Sequence, residues 1–265
     1  MKHLTLLILI AVLSLVLVAC SGAEAMDPSS VSIDTMNLPY SWQANLVEAT
    51  AYDDSQPPGA MGLPEHMQIN FDVTDPAGVQ FGDPIIYIIP TEAYKELWDE
   101  AGSTVVSDRL AMLEDLLAER PDLATANFAV LPYEVYRVMG AGNFGTIAQS
   151  AYLDMPWGSG VRFVATPMQS VDVIVRRSTV YIEQGLTDDG AYLVSFIYPP
   201  VSTSELPDSV EEVSEEEFQQ ANSDWAAYRQ EKEELLDSLA ASDWDPSLST
   251  LDEVISSLRF GDYGK

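Results

Sequence analysis

Gly140-Ala141-Gly142-Asn143-Phe144-Gly145 has the spacing G-x-G-x-x-G. In a dinucleotide-binding loop, such glycines let backbone amides at a helix N-terminus cradle a pyrophosphate. That chemistry needs a strand before the glycines, a helix opening on them, and an acid about 20 residues on for a ribose hydroxyl. "YEVYRVM" can supply the strand. No helix can follow, because Ile147, Gln149, Ala151 and Leu153 alternate up to Pro156, and position 160 is glycine rather than an acid. The glycines read instead as places where the chain turns or where backbones approach closely. Nucleophile chemistry of the Ser–His–Asp or Cys–His kind needs a histidine. Beyond the first residues there is one, His66. Strand alternation puts His66 with Gln68, Asn70 and Asp72, opposite Met67 and Phe71, as a surface residue that is solvated or under a helix. A histidine-rich metal site is excluded by count. Asp243 and Asp245 open a stretch like a calcium loop, but Leu248 stands where glycine is needed and Val254 where an acid is needed. Two carboxylates suffice for hydrolysis of sugars or peptides, and 42 acidic residues leave that open without pointing to a pair. Tyr87, Tyr133, Tyr136, Trp157 and Tyr192 could line a cleft that stacks a sugar or peptide; otherwise they are core or sheet-surface aromatics. No catalytic, cofactor-binding or metal-binding residue is assigned, and no cofactor is expected.

The remaining reactive residue is Cys20, the one cysteine of the chain. Lys2 gives a positive start, and residues 4–19 are apolar except for Thr5 and Ser14. As a helix this run would span roughly 24 Å against a hydrocarbon core of about 30 Å, which suits a signal peptide better than a transmembrane anchor. It ends in Leu17-Val18-Ala19-Cys20, which resembles the lipobox of bacterial lipoproteins. The resemblance implies that residues 1–19 are removed, that the Cys20 thiol carries a diacylglycerol, and that Cys20 becomes the mature N-terminus. The membrane is then a partner through that lipid. The expected place is the cell envelope, either the outer side of the cytoplasmic membrane or the outer membrane. Ser21 is not the aspartate that resembles an inner-membrane retention signal. With one cysteine, the mature domain has no disulfide and must be held by its core.

Twelve basic residues stand against 42 acidic ones, a formal net charge of −30. Such a field repels nucleic acid, whose binding needs clustered Lys and Arg. It likewise opposes electrostatic attachment to anionic lipid, so the lipid on Cys20 must do the anchoring. The charge itself reads as solubility and self-repulsion in an exposed protein, or as a surface that gathers cationic partners.

The elements that must carry these residues fall into blocks. Residues 20–38 are small, polar and aperiodic, a lipidated tether with a reach on the order of 25 Å. Residues 39–204 read as an α+β sheet domain. His66–Val73 alternates strictly, and Ile85–Ile89 is apolar on both faces, as in a central strand. Tyr94, Leu97, Trp98 and Ala101 mark a short helix, and Val106, Leu110, Leu113 and Leu117 a second one. Two strands flank Pro156–Gly160. Asp189-Gly190 between alternating runs predicts a type I′ hairpin that pairs Leu186 with Leu193 and Ile182 with Ile197. A hairpin implies an antiparallel sheet, of about six to eight strands covered by helices. Residues 205–265 form a C-terminal helical segment packing on the sheet domain. A capping box at Ser214 and Glu217 opens one long acidic helix to about Ala240, peripheral to the core. A last helix starts near Ser249, with Leu251, Val254, Ile255 and Leu258 buried.

"LPYEVYRVMGAGN", "SAYLDMPWGSGVRF", "QGLTDDGAYLVSFIYP" and "LDEVISSLRF" together resemble a family of uncharacterised bacterial lipoproteins, from which no functional residue is carried over. The order of strands, hairpin and terminal helix is also similar to the PsbP-like type of α/β sandwich, which implies an accessory or binding role. The extra acidic helix departs from it. The expectation is a lipid-anchored extracytoplasmic binding or accessory protein, non-catalytic, whose partner is an envelope protein or small ligand. The alternative is a carboxylate-dependent hydrolase of envelope sugars or peptides.

Overall fold

The structure, a computed structural model, describes residues 26–36, 38–50, 62–72, 82–126 and 143–264. Cys20, Tyr133, Tyr136 and Gly140–Gly142 lie outside them. Seven strands form one antiparallel sheet: β1 (Ser41–Val47), β2 (His66–Asp72), β3 (Ile85–Pro90), β4 (Asn143–Met155), β5 (Gly158–Met168), β6 (Val180–Thr187) and β7 (Tyr192–Tyr198). Their spatial order is β1-β2-β3-β7-β6-β5-β4. Two meanders thus lie side by side, joined where β3 pairs antiparallel with β7. The continuously apolar β3 sits between β2 and β7 with both faces covered, and β1 and β4 are the sheet edges. A separate pair, β8 (Ser202–Thr203) and β9 (Trp244–Asp245), ties the chain after β7 to the C-terminal region.

One face of the sheet is covered by α1 (Thr91–Glu100) and α2 (Val105–Glu119). Both present i, i+4 apolar stripes: Tyr94 and Trp98 on α1; Val106, Leu110, Leu113 and Leu117 on α2. They pack on Ile85, Ile89, Phe163, Ile182, Leu193 and Ile197. The chain between β3 and β4 runs through these helices, which carries it from the middle of the sheet to its far edge. The other face presents Met67, Ile69, Ile86, Ile88, Val194 and Phe196. It is covered by α5 (Leu248–Ser256), whose Leu248, Leu251, Val254 and Ile255 are buried, and by α4 (Trp225–Asp237) through Tyr228 and Leu236.

Four expectations are corrected. The long acidic helix is two, α3 (Glu215–Ser223) and α4, broken at Asp224, where φ is −143° and ψ 69°. The Asp224 carboxylate accepts from the Ala227 amide, so the residue caps a new helix rather than continuing the old one. Nor is this region peripheral, because the buried Tyr228 hydroxyl accepts from the Ile174 amide at 2.8 Å and the ring joins the core. The later part of the expected tether also packs on the domain: Val31 is in the core, and Ser32 bridges Arg259. Finally, the β6–β7 register is the expected one, Leu186 opposite Leu193 and Ile182 opposite Ile197, but the turn is not type I′. The Gly190 amide bonds Thr187 O at 2.8 Å, and Gly190 alone is left-handed, at φ 69°. The Asp189 carboxylate explains the difference. It accepts from Thr187 Oγ1, the Ala191 amide and the Tyr263 hydroxyl, which hold a right-handed turn at Asp189.

Candidate functional site

A cleft of about 560 Å³ opens at the β4 edge, between the helical layers of the two faces. Its floor is β4 and β5, from which Ile147, Gln149, Ser150 and Arg162 line it. The β4–β5 pairing shifts register between Ala148 and Ala151, and Gln149, inside that bulge, has φ 58°. A left-handed non-glycine residue costs roughly 1–3 kcal/mol and persists only where its surroundings hold it. Here they do. Gln149 Nε2 donates to Leu236 O at 2.7 Å in the last turn of α4 and to Leu239 O at 2.9 Å just beyond it. Its amide donates to Asp237 Oδ1, and its carbonyl accepts from Arg162 Nη1, each at 2.5 Å.

The lip on one side is α4, with Arg229, Glu233 and Asp237. Glu233 and Asp237 are four residues apart, about 6 Å along a helix. Ile147 and Gln149 are two apart, about 6.6 Å along a strand. The spacings match, so the two carboxylates meet two successive outward amides: Ile147 N donates to Glu233 Oε1 at 3.0 Å, as Gln149 N does to Asp237. They stand where the carbonyls of an added strand would stand, which blocks pairing at this edge. The opposite lip is Asp122, Leu123, Ala124 and Ala126, after α2. Arg120, left-handed at φ 46°, turns the chain there and pairs with Asp154, while Tyr152 donates to Pro121 O at 2.9 Å.

Beneath the cleft lies a buried charge cluster. Arg162 is 9% exposed, and its Nε is 3.4 Å from Asp252 Oδ1, which also accepts from Tyr181 at 2.9 Å. Burial raises the Asp252 carboxyl, against the lowering pull of Arg162 and the Tyr181 bond. Glu183, opposite Arg162 in the β5–β6 register, is fully buried, and neither carboxyl oxygen has a hydrogen-bond partner among the described residues. Burial and then the charge of Asp252 push it well above the usual carboxylate range. It sits where Gly160 and Gly185 leave room; a Cβ on either would meet Glu183 Oε1. At the rim, burial also raises Asp237, opposed by the Gln149 amide and supported by Glu233.

The residues singled out in the sequence lie elsewhere. Tyr87 is buried under α1 and α2, whereas Trp157 and Tyr192 are buried on the opposite face, so these three do not share a cleft. His66 is not a surface residue. It is 2% exposed, its Nδ1 is 2.9 Å from Pro64 O, its ring is 5.9 Å from that of Tyr87, and burial lowers its pKa. The strand β4 opens at Asn143, inside the G-x-G-x-x-G stretch. A Cβ on Gly145 would strike the Met168 side chain, so that glycine marks a close approach. The cleft residues escaped notice because they come from four elements. The one available signal was that Arg162 and Arg229 are two of only twelve bases. Among the described residues no group of three or more His, Cys, Asp or Glu could hold a metal ion, and no helix is long and apolar enough to cross a membrane. Compared with protein families, curated proteins and solved structures, the chain matches none.

Proposed function

We propose that the chain is a binding protein presented outside the cytoplasm, anchored by a lipid on Cys20, and that the cleft at the β4 edge is where it binds. One observation carries the reading. Polar side chains from β4, β5, α4 and the segment after α2 converge on a cleft of about 560 Å³, while both sheet faces are filled by helices. That volume is in the range of small-molecule sites, roughly 300–1,000 Å³. The strained Gln149 supports it, since left-handed non-glycine residues and bulges cluster at functional sites. The hydrolase alternative has less support. Glu233 and Asp237, the carboxylates at the α4 lip, are bonded to the backbone of β4, and no aromatic side chain is among the cleft's described lining residues.

The anchoring part rests on Leu17-Val18-Ala19-Cys20. Labelled palmitate fed to producing cells should enter the wild-type protein, which should sediment with membranes. Cys20→Ala should lose both the label and the sedimentation. An unlabelled wild-type protein with an N-terminus other than Cys20 would refute the anchor. The binding part is tested by whether Gln149→Gly, which keeps the left-handed backbone but removes the tie to α4, alters binding at the cleft.

A further inference from the structure

We infer that the β4-edge cleft takes a zwitterion of amino-acid to short-peptide size, its carboxylate meeting Arg162 and Arg229 and its ammonium meeting Asp237 and Glu233. The inference deepens the binding reading above and rests on it.

The lining carries both signs: two guanidiniums, and the carboxylates of Asp122, Glu233 and Asp237. Each sign has atoms to spare. Arg229 uses Nε for Glu233 at 2.9 Å, which leaves the two terminal nitrogens of its fork. Arg162 donates through Nη1 to Gln149 O and turns Nε toward Asp252 at 3.4 Å beneath the cleft, which leaves Nη2. A buried guanidinium with unused N–H groups at the floor of a cleft is an anion seat, because its planar fork matches a carboxylate in two bonds at once. On the other side, Glu233 takes both of its bonds on Oε1 and Asp237 takes its bond on Oδ1, so each keeps a second oxygen. Asp237 is held above its ordinary range by burial, so an arriving cation is stabilising there.

Single charges fit less well. An anion alone enters the field of a protein carrying a net −30 and meets Asp237. A cation alone meets two guanidiniums. A molecule with both charges answers both sides and leaves the net charge unchanged. The volume admits an amino acid or a dipeptide with part of its surface in solvent.

Isothermal titration of the full chain with alanyl-alanine, its N-acetyl derivative, its C-terminal amide, acetate and ethylamine tests this. The free dipeptide should bind, and each singly charged compound should bind about tenfold more weakly or worse, the loss expected for one charge-assisted contact. Arg229→Met and Asp237→Asn should each weaken the dipeptide by about tenfold. Asp237→Asn keeps an oxygen for the Gln149 amide, so its fold, checked by its melting curve, should hold. A singly charged compound that binds as tightly as the dipeptide overturns the ligand class and leaves the cleft a binding site. Dipeptide binding unmoved by both variants overturns the location. If none of the five compounds binds, the zwitterion class is overturned, and the binding role of the cleft stands or falls on the Gln149→Gly comparison.

Discussion

The two faces of the sheet are built from different material. Under α1 and α2 the buried stripes are apolar or aromatic, and their packing follows from the alternation of the strands. Under α4 and α5 a larger apolar field encloses Arg162, Tyr181 and Glu183, with Asp252 half-buried beside them. Buried charge is costly unless paired, and here it is paired only in part. Arg162 has Asp252 and the Gln149 carbonyl, whereas Glu183 has no hydrogen-bond partner among the described residues, and burial pushes it toward its neutral form. The contrast shows where the fold carries a cost that packing does not require. The costly face is also the one whose arginine reaches the cleft.

Removing that arginine should have the largest effect on stability. Arg162→Met leaves the half-buried Asp252 without its cation and the Gln149 carbonyl without its donor. A fully buried pair broken on one side costs about 3–5 kcal/mol, and the partial exposure of Asp252 puts the loss at the lower end, about 3 kcal/mol. The denaturation midpoint should fall accordingly. A change under about 1 kcal/mol would mean that the cluster is solvated and the two faces are alike.

On the apolar face the comparable change is Leu110→Ala. It removes a fully buried side chain from the α2 stripe and should cost about 2–5 kcal/mol through lost contacts and the cavity left behind. Its effect should not vary with pH above the ordinary imidazole range, where His66, the buried titrating group on this face, is neutral in both folded and unfolded chains. A pH-dependent loss there would show that this face, too, carries charge.

Gly190→Val, at the β6–β7 turn, should cost about 1–3 kcal/mol. The space there is open, so the whole effect comes from a β-branched residue at φ 69°. Gly190→Asn should recover part of it, because Asn tolerates the left-handed region. Equal losses for both would point to packing rather than backbone strain.

The smallest effect has the opposite sign. Glu183→Met keeps an unbranched chain in the space beside Gly160 and Gly185 and removes the lone buried carboxyl. It should stabilise the domain by about 1 kcal/mol at pH 7. The sign follows from linkage. In the unfolded chain Glu183 ionises above about 4.5, whereas burial raises that value well above it in the fold. Wild-type stability therefore falls as pH rises through 4.5 toward the folded value, and below 4.5 the penalty is absent. The gain from Glu183→Met should therefore be largest at neutral pH and fall at about pH 4 to a remainder set by the unbonded neutral carboxyl. A gain that does not vary between about pH 7 and about pH 4 would assign it to packing.

Much of this architecture was legible in the residues alone. The strict alternation of Met67, Ile69 and Phe71 set the inward face of β2, and the run Ile85–Ile89 marked a strand covered on both sides. The stripe Val106, Leu110, Leu113 and Leu117 set the buried side of α2, and Asp189-Gly190 set the β6–β7 register. Each of these is a local periodicity or a turn preference, and local signals survive in a sequence. Tertiary structure decided what depends on partners far along the chain. Residue 66 took its burial from neighbours that pattern alone does not name. The Asp189 carboxylate, through contacts that include Tyr263, overrode the preferred turn. Asp224 broke a helix that periodicity would have continued. The cleft itself exists because Glu233 and Asp237 of a late helix reach amides of β4 more than 80 residues earlier. A carboxylate on one element and a bulged amide on another have no common spacing in the chain, so only their meeting in space makes a site of them.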